Sequence, residues 1–169
     1  MTPDREQQMT TVDARWLTDD TGMIDLNFLN ISRGIAAYVL PTSDGIAVIE
    51  TGPTTVLPTL IEGIRALGLE PADVRHILVT HIHLDHAGAV GTWMRQLPEA
   101  RFYVHEIGAP HMLDPANLIR SATRIYGDDM QRLWGEFLPV PEERTTVIRD
   151  GDPLELGGRV PDRFHRWLL

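Results

Sequence analysis

Thr80-His81-Ile82-His83-Leu84-Asp85-His86-Ala87-Gly88 places three histidines and an aspartate within six residues, directly behind the apolar run Ile77-Leu78-Val79. Imidazole and carboxylate donors together suit zinc and, less selectively, iron or manganese. The apolar run reads as a buried strand over residues 76–80, and Ala87-Gly88-Ala89 opens a helix behind it. Residues two apart in an extended segment project to the same side, so His81 and His83 point together. After the turn, Asp85 and His86 point to a neighbouring position. This spacing suits two metal ions held close together by one short loop. Packing alone gives no ordinary reason for such a cluster, because buried unpaired polar groups are costly.

Outward from this loop the chain alternates strand and helix signals. Gly22 to Phe28 and Gly34 to Leu40 read as strands, and Pro41-Thr42-Ser43-Asp44-Gly45 supplies the turn of a hairpin over residues 34–49. Leu57, Leu60, Ile61, Ile64 and Leu67 share one face of a helix from about Thr55 to Leu67, stopped by Gly68. A helix from Gly88 to Leu97 ends at Pro98, and Arg101 to His105 is a further strand. Residues 115–137 read as two helices split near Gly127, whose stripe of Ile125, Tyr126, Met130, Leu133, Trp134 and Phe137 reads as core packing. Thr145 to Ile148 and Leu154 to Leu156 read as short strands. Strand, helix, strand is the logic of a sheet covered by helices, an α/β fold.

The pattern His81-x-His83-x-Asp85-His86, preceded by a strand and followed by Ala-Gly, resembles the signature loop of the metallo-β-lactamase superfamily. The resemblance extends over most of residues 20–158. The strand Gly45 to Ile49, ending in Glu50-Thr51-Gly52-Pro53, resembles the family's early strand, with Glu50 where the family more often has aspartate. Tyr103-Val104-His105-Glu106 through Gly108-Ala109-Pro110-His111 and Asp114-Pro115 resembles a prokaryotic hydrolase branch. The fold implied is the N-terminal portion of an αββα sandwich with metals at one edge, between the sheets. The resemblance implies His81, His83, Asp85 and His86 as ligands of one or two zinc ions, with iron or manganese as alternatives. It gives Asp85 a catalytic role in orienting the attacking hydroxide, and Glu50 a role in fixing a histidine ring. His105 and His111 are cleft candidates whose default is a surface position. The activity implied is hydrolysis of a small ester, thioester or lactone through a metal-bound hydroxide.

After Leu154-Glu155-Leu156-Gly157-Gly158 the pattern departs from that family. An apolar strand ending in Thr-Pro-Gly-His is expected there, and later an aspartate and a further histidine; none is present. The tail 159–169 carries three arginines and a proline, and reads as atypical, as a frameshift or early stop would produce. The domain is therefore expected to be incomplete, with residues 1–19 a polar extension and 20–158 the family-like domain. The alternative reading is a catalytically inactive remnant that binds metal weakly or acts by interaction. A sheet face left uncovered would invite self-association.

The small-molecule substrate is what the resemblance implies; bulk properties argue only against nucleic acid and membrane as partners. A net charge of −9 argues against nonspecific nucleic-acid binding, which needs clustered cations. All 15 basic residues are arginine, for which a GC-rich coding sequence is the simplest account. With no cysteine there is no disulfide and no thiolate ligand. The polar start, Met1-Thr2-Pro3-Asp4-Arg5-Glu6, has no apolar signal region, and no stretch reaches membrane-span length. A cytoplasmic location is expected, with Met9 an alternative start.

Overall fold

The computed structural model describes residues 12–158. The alternative starts at Met1 and Met9 and the tail 159–169 lie outside them.

Seven strands form one sheet in sequence order. They are β1 (Ala14–Thr18), β2 (Thr21–Asp25), β3 (Ala36–Thr42), β4 (Gly45–Ile49), β5 (Val74–Leu78), β6 (Arg101–His105) and β7 (Thr145–Ile148). β1 to β4 form an antiparallel meander, and β4 to β7 run parallel. Parallel neighbours need crossovers, and helices supply them. α1 (Leu57–Ala66) joins β4 to β5; α2 (Leu84–Ala87) and α3 (Val90–Met94) join β5 to β6. α4 (Ala109–Leu113), α5 (Ala116–Tyr126) and α6 (Met130–Trp134) fill the last crossover.

Alternation along the strands sorts the core. Ile24, Val39, Val48, Ile77, Val79, Phe102 and Val104 pack against Leu60 and Ile64 of α1, Val90, Trp93 and Met94 of α3, and Met112 of α4 in one cluster. The opposite face carries a smaller cluster of Ala47, Leu78, Tyr103 and Ile148, covered by Leu154 and Leu156. This face is thus capped in part by the chain's own residues, while Tyr38 near its edge stays 37% exposed.

Several sequence expectations need correction. Ala14–Thr18 falls in the stretch expected as an extension, yet it pairs antiparallel with β2. Four of its five residues are exposed, so an edge strand carries little apolar signal. β2 stops at Asp25, because the following loop turns left-handed at Asn27, Leu29, Asn30 and Arg33. The buried Asp25 carboxylate holds that loop by accepting the backbone N–H groups of Asn27 and Arg33. The helix behind the histidine motif begins inside it, at Leu84, and is broken before Val90. Leu154 to Leu156 is not a strand; only Leu156 forms a bridge. The next residues lie across the β3–β4 turn, where Ser43 donates from both its N–H and its hydroxyl to the Gly157 carbonyl.

Candidate metal centre

The motif loop leaves the C-terminal end of β5 and is framed by the segment leaving β4. Glu50 N–H donates to the Leu78 carbonyl at 2.9 Å, Thr51 N–H to the His86 carbonyl at 2.8 Å, and Ala89 N–H to the Gly52 carbonyl at 2.9 Å. The fully buried Thr51 hydroxyl also reaches the His86 carbonyl, at 3.1 Å. The turn that delivers these groups needs left-handed backbone at Glu50 (φ +66°) and Gly52 (φ +67°). Glycine adopts that region freely, whereas a side chain such as Glu50 costs about 1–3 kcal/mol there. That strain sits beside four candidate ligands.

Glu50 is itself buried, and its two oxygens are divided between backbone and ring. Oε1 accepts Thr80 N–H at 2.8 Å, and Oε2 lies 3.0 Å from His86 Nδ1. The carboxylate accepts the Nδ1 proton, which leaves Nε2 as the histidine's free nitrogen. The Glu50 hydrogen bond also holds the His86 pKa above 6.5, against the opposing effect of burial. His86 Nε2 lies 3.3 Å from Asp85 Oδ2.

His81 packs against both other motif histidines, with ring centroids 3.9 Å from His86 and 4.7 Å from His83. Its pKa falls below 6.5, first because burial penalises the charged ring, then because His86 and His83 are like charges when protonated. The Thr80 hydroxyl lies 2.9 Å from His81 Nδ1 and sets which nitrogen is free. The structure therefore brings Glu50, His81, His83, Asp85 and His86 together. Their donor chemistry, three imidazoles and a carboxylate with one ring fixed by Glu50, fits a metal such as zinc. Among the described residues, however, no group of three donors is arranged around a common point. The loop supplies part of a ligand set.

The superfamily model described as "Metallo-beta-lactamase superfamily" matches residues 32–167, most of the chain. The chain belongs to this superfamily. Its members generally bind metal ions. The fold resembles the native FEZ-1 metallo-beta-lactamase from Legionella gormanii, with a TM-score of 0.66 and 21% identity over 87% of this chain and 50% of that one. MIM-1 from Novosphingobium pentaromativorans gives a TM-score of 0.62 and 28% identity, over 87% of this chain and 48% of that one. The chain thus spans about half the length of these solved relatives, and it matches their N-terminal half in architecture. Among curated proteins, the N-acyl homoserine lactonase AttM of Agrobacterium fabrum is 52% identical over 31 residues, 18% of this chain and 12% of that protein. The AttM of Azorhizobium caulinodans is 54% identical over 28 residues, 17% of this chain and 11% of its own length. The family match runs into the tail that departs from the expected pattern.

Two cavities flank the motif loop. One, of about 300 Å³, is lined by Thr80, His81, Ile82, His105, Ile107 and His111 among others. His105 was expected at the surface; it is instead buried at the end of β6, because its strand register turns it beneath the 149–152 turn. Its Nδ1 accepts the Ile107 N–H at 3.3 Å, and its Nε2 lies 3.4 Å from Asp150 Oδ1, within ion-pair reach but outside hydrogen-bonding geometry. His111 is exposed on α4 at the cavity rim. The other cavity, of about 380 Å³, lies between His83, Leu84 and Asp85 on one side and Leu118, Ser121, Ala122, Ile125, Tyr126 and Trp134 on the other.

Sequence reasoning missed His76. It is buried in β5, with Nδ1 2.8 Å from the Tyr103 hydroxyl and Nε2 3.0 Å from Asp44 Oδ1. The His76 hydrogen bond lowers the Asp44 pKa below 3.8, and burial raises that of Tyr103 above 10.0. A signal was present: His76 alternates with Leu78, so a polar residue stood at an inward position and required partners. No helix among the described residues is long and apolar enough to cross a membrane.

Proposed function

We propose that this chain is the part of a zinc-dependent hydrolase that carries the first metal-binding loop, acting on a small ester, thioester or lactone. The observation that carries the reading is the Glu50–His86 contact. A buried carboxylate spends one oxygen on a histidine's Nδ1 and so presents the opposite nitrogen outward. A buried carboxylate on left-handed backbone, set against Nδ1 of one histidine in an H-x-H-x-D-H loop, is the arrangement that orients a metal-ligating ring. His81, His83 and His86 would hold the ion as neutral rings, and Asp85 would add a carboxylate ligand. When bound, the zinc supplies an acidified water and an electrophile for the substrate carbonyl. Asp85, half-exposed beside His86, would orient an attacking water by accepting its hydrogen bond. The lactone option gains support from the short matches to lactonases, and the ester and thioester options from the apolar cavity beside Asp85.

Zinc, manganese and iron serve as alternative ions for the same donor set, and zinc fits imidazole-rich loops best. The test is turnover of an ester, thioester and lactone panel by the purified chain. Turnover abolished by EDTA and restored by zinc, and absent in Asp85→Asn, is the expected result. Folded protein that takes up zinc yet hydrolyses none of the panel would favour the second reading, a metal-binding remnant. The shortage of converging donors among the described residues favours that reading to the extent that the loop alone must hold the ion, since catalytic zinc normally has three protein ligands.

A further inference from the structure

The cavity of about 380 Å³ between the motif loop and α5–α6 has a lining divided by chemistry. At one end are His83 and Asp85 of the motif. The remaining wall is Leu84, Leu118, Ala122, Ile125, Tyr126 and Trp134, with Ser121 between them. No arginine contributes to it, although three, Arg120, Arg124 and Arg132, sit on the same two helices. Its volume lies in the range of about 300–1,000 Å³ usual for small-molecule sites.

Helical periodicity assigns this stripe to core packing, and the structure divides it. Trp134 is buried, stacked on Phe28 at 5.3 Å and edge-on to Tyr126 at 5.1 Å, which makes a rigid aromatic floor. Ile125, by contrast, is 75% exposed at the rim. A β-branched side chain in solvent gains nothing from packing, and leaving it there costs the burial it forgoes.

We infer that this cavity takes the uncharged apolar group of the substrate, an alkyl or acyl chain, with its reacting carbonyl at the His83–Asp85 end. In the metal-free chain a phosphomonoester is disfavoured, because its dianionic group would meet Asp85 with no cation in the wall to offset it. Ile125 and Leu118 then set chain-length preference. The inference deepens the hydrolase reading and rests on it for the word substrate; the binding claim stands on the cavity alone.

The experiment is a titration of the full chain, followed through the Trp134 indole N–H resonance, assigned with Trp134→Phe among the four tryptophans. Octanamide and hexyl phosphate are the probes. The expected result is saturable perturbation by octanamide, tighter than by hexyl phosphate, and weakened roughly tenfold in Ile125→Asp, the scale of losing an apolar contact in a pocket. Ile125 is exposed, so that variant folds; Leu118→Asp, read in parallel with a circular dichroism check, guards the conclusion. No saturable shift, equal or tighter binding of hexyl phosphate, or an unchanged affinity in Ile125→Asp overturns the inference. Zinc content of the same samples separates the two claims: octanamide binding without zinc uptake removes the hydrolase reading and leaves the pocket.

Discussion

Glu50→Ala removes both side-chain contacts by which Glu50 holds the motif loop. The buried carboxylate accepts Thr80 N–H at 2.8 Å and holds His86 Nδ1 at 3.0 Å. Hydrogen bonds to a charged group contribute about 1.5–3 kcal/mol each, and two that share one carboxylate do not add in full. The expected loss is therefore about 3 kcal/mol, or roughly 6–12 °C in Tm for a domain of this size. Glu50→Gln keeps an oxygen for Thr80 but turns an NH2 toward His86, which must then accept through Nδ1 and carry its proton on Nε2. That variant should lose only about 1 kcal/mol of stability while blocking the nitrogen that would bind a metal. The pH dependence has a definite sign. Glu50 raises the His86 pKa in the folded state, so its contribution is full below the unfolded value near 6.5 and is lost as pH rises through the folded value. Thermal unfolding in metal-free buffer should thus show the gap between wild type and Glu50→Gln widest near pH ~6 and narrowing toward pH ~9. A Glu50→Ala variant within about 0.5 kcal/mol of wild type, or a gap that widens with pH, would refute the reasoning.

Other contacts carry consequences of their own. In metal-free protein, NMR titration should find His81 below 6.5 and His86 above it, with Glu50→Gln lowering His86 and leaving His81 the more acidic. Tyr103→Phe deprives the buried His76 Nδ1 of its partner and should cost about 1–2 kcal/mol by urea unfolding. His76→Gln should let the Asp44 pKa rise toward 3.8; the stability that Asp44 contributes is present above that value and lost as pH falls through its lower folded value. The Arg144 guanidinium donates to the carbonyls of Met94 (3.1 Å), Leu97 (2.7 Å), Pro98 (3.3 Å) and Ala100 (3.4 Å), closing the end of α3. Arg144→Met should cost about 2–3 kcal/mol, read as a lower urea midpoint with an unchanged slope.

Much of the parallel half of the sheet was legible in the sequence, because continuous apolar strands buried on both faces and the α1 stripe are strong signals. Glu50 was legible as a partner for a histidine ring only through its place after β4; its left-handed φ and its hold on Thr80 depend on long-range packing. β1 was not legible, since an exposed edge strand such as Ala14–Thr18 has no apolar alternation to read. His105 and His76 were misjudged or missed for one reason. Both sit at inward strand positions that local sequence would send to the surface: Asp44 and Tyr103 partner both ring nitrogens of His76, whereas His105 accepts only the Ile107 N–H and leaves Nε2 3.4 Å from Asp150 without a hydrogen bond. The stripe on α5 and α6 read as core because periodicity records which residues share a face, not whether a cavity lies in front of it.

The central claim is that the H-x-H-x-D-H loop holds a metal. Elemental analysis of the folded chain after a zinc pulse and dialysis against metal-free buffer tests it most directly, with His86→Ala as the comparison. The predicted result is about one zinc per chain in the wild type and a large loss in the variant. No retained zinc in the folded wild type, or equal zinc in both proteins, would contradict it.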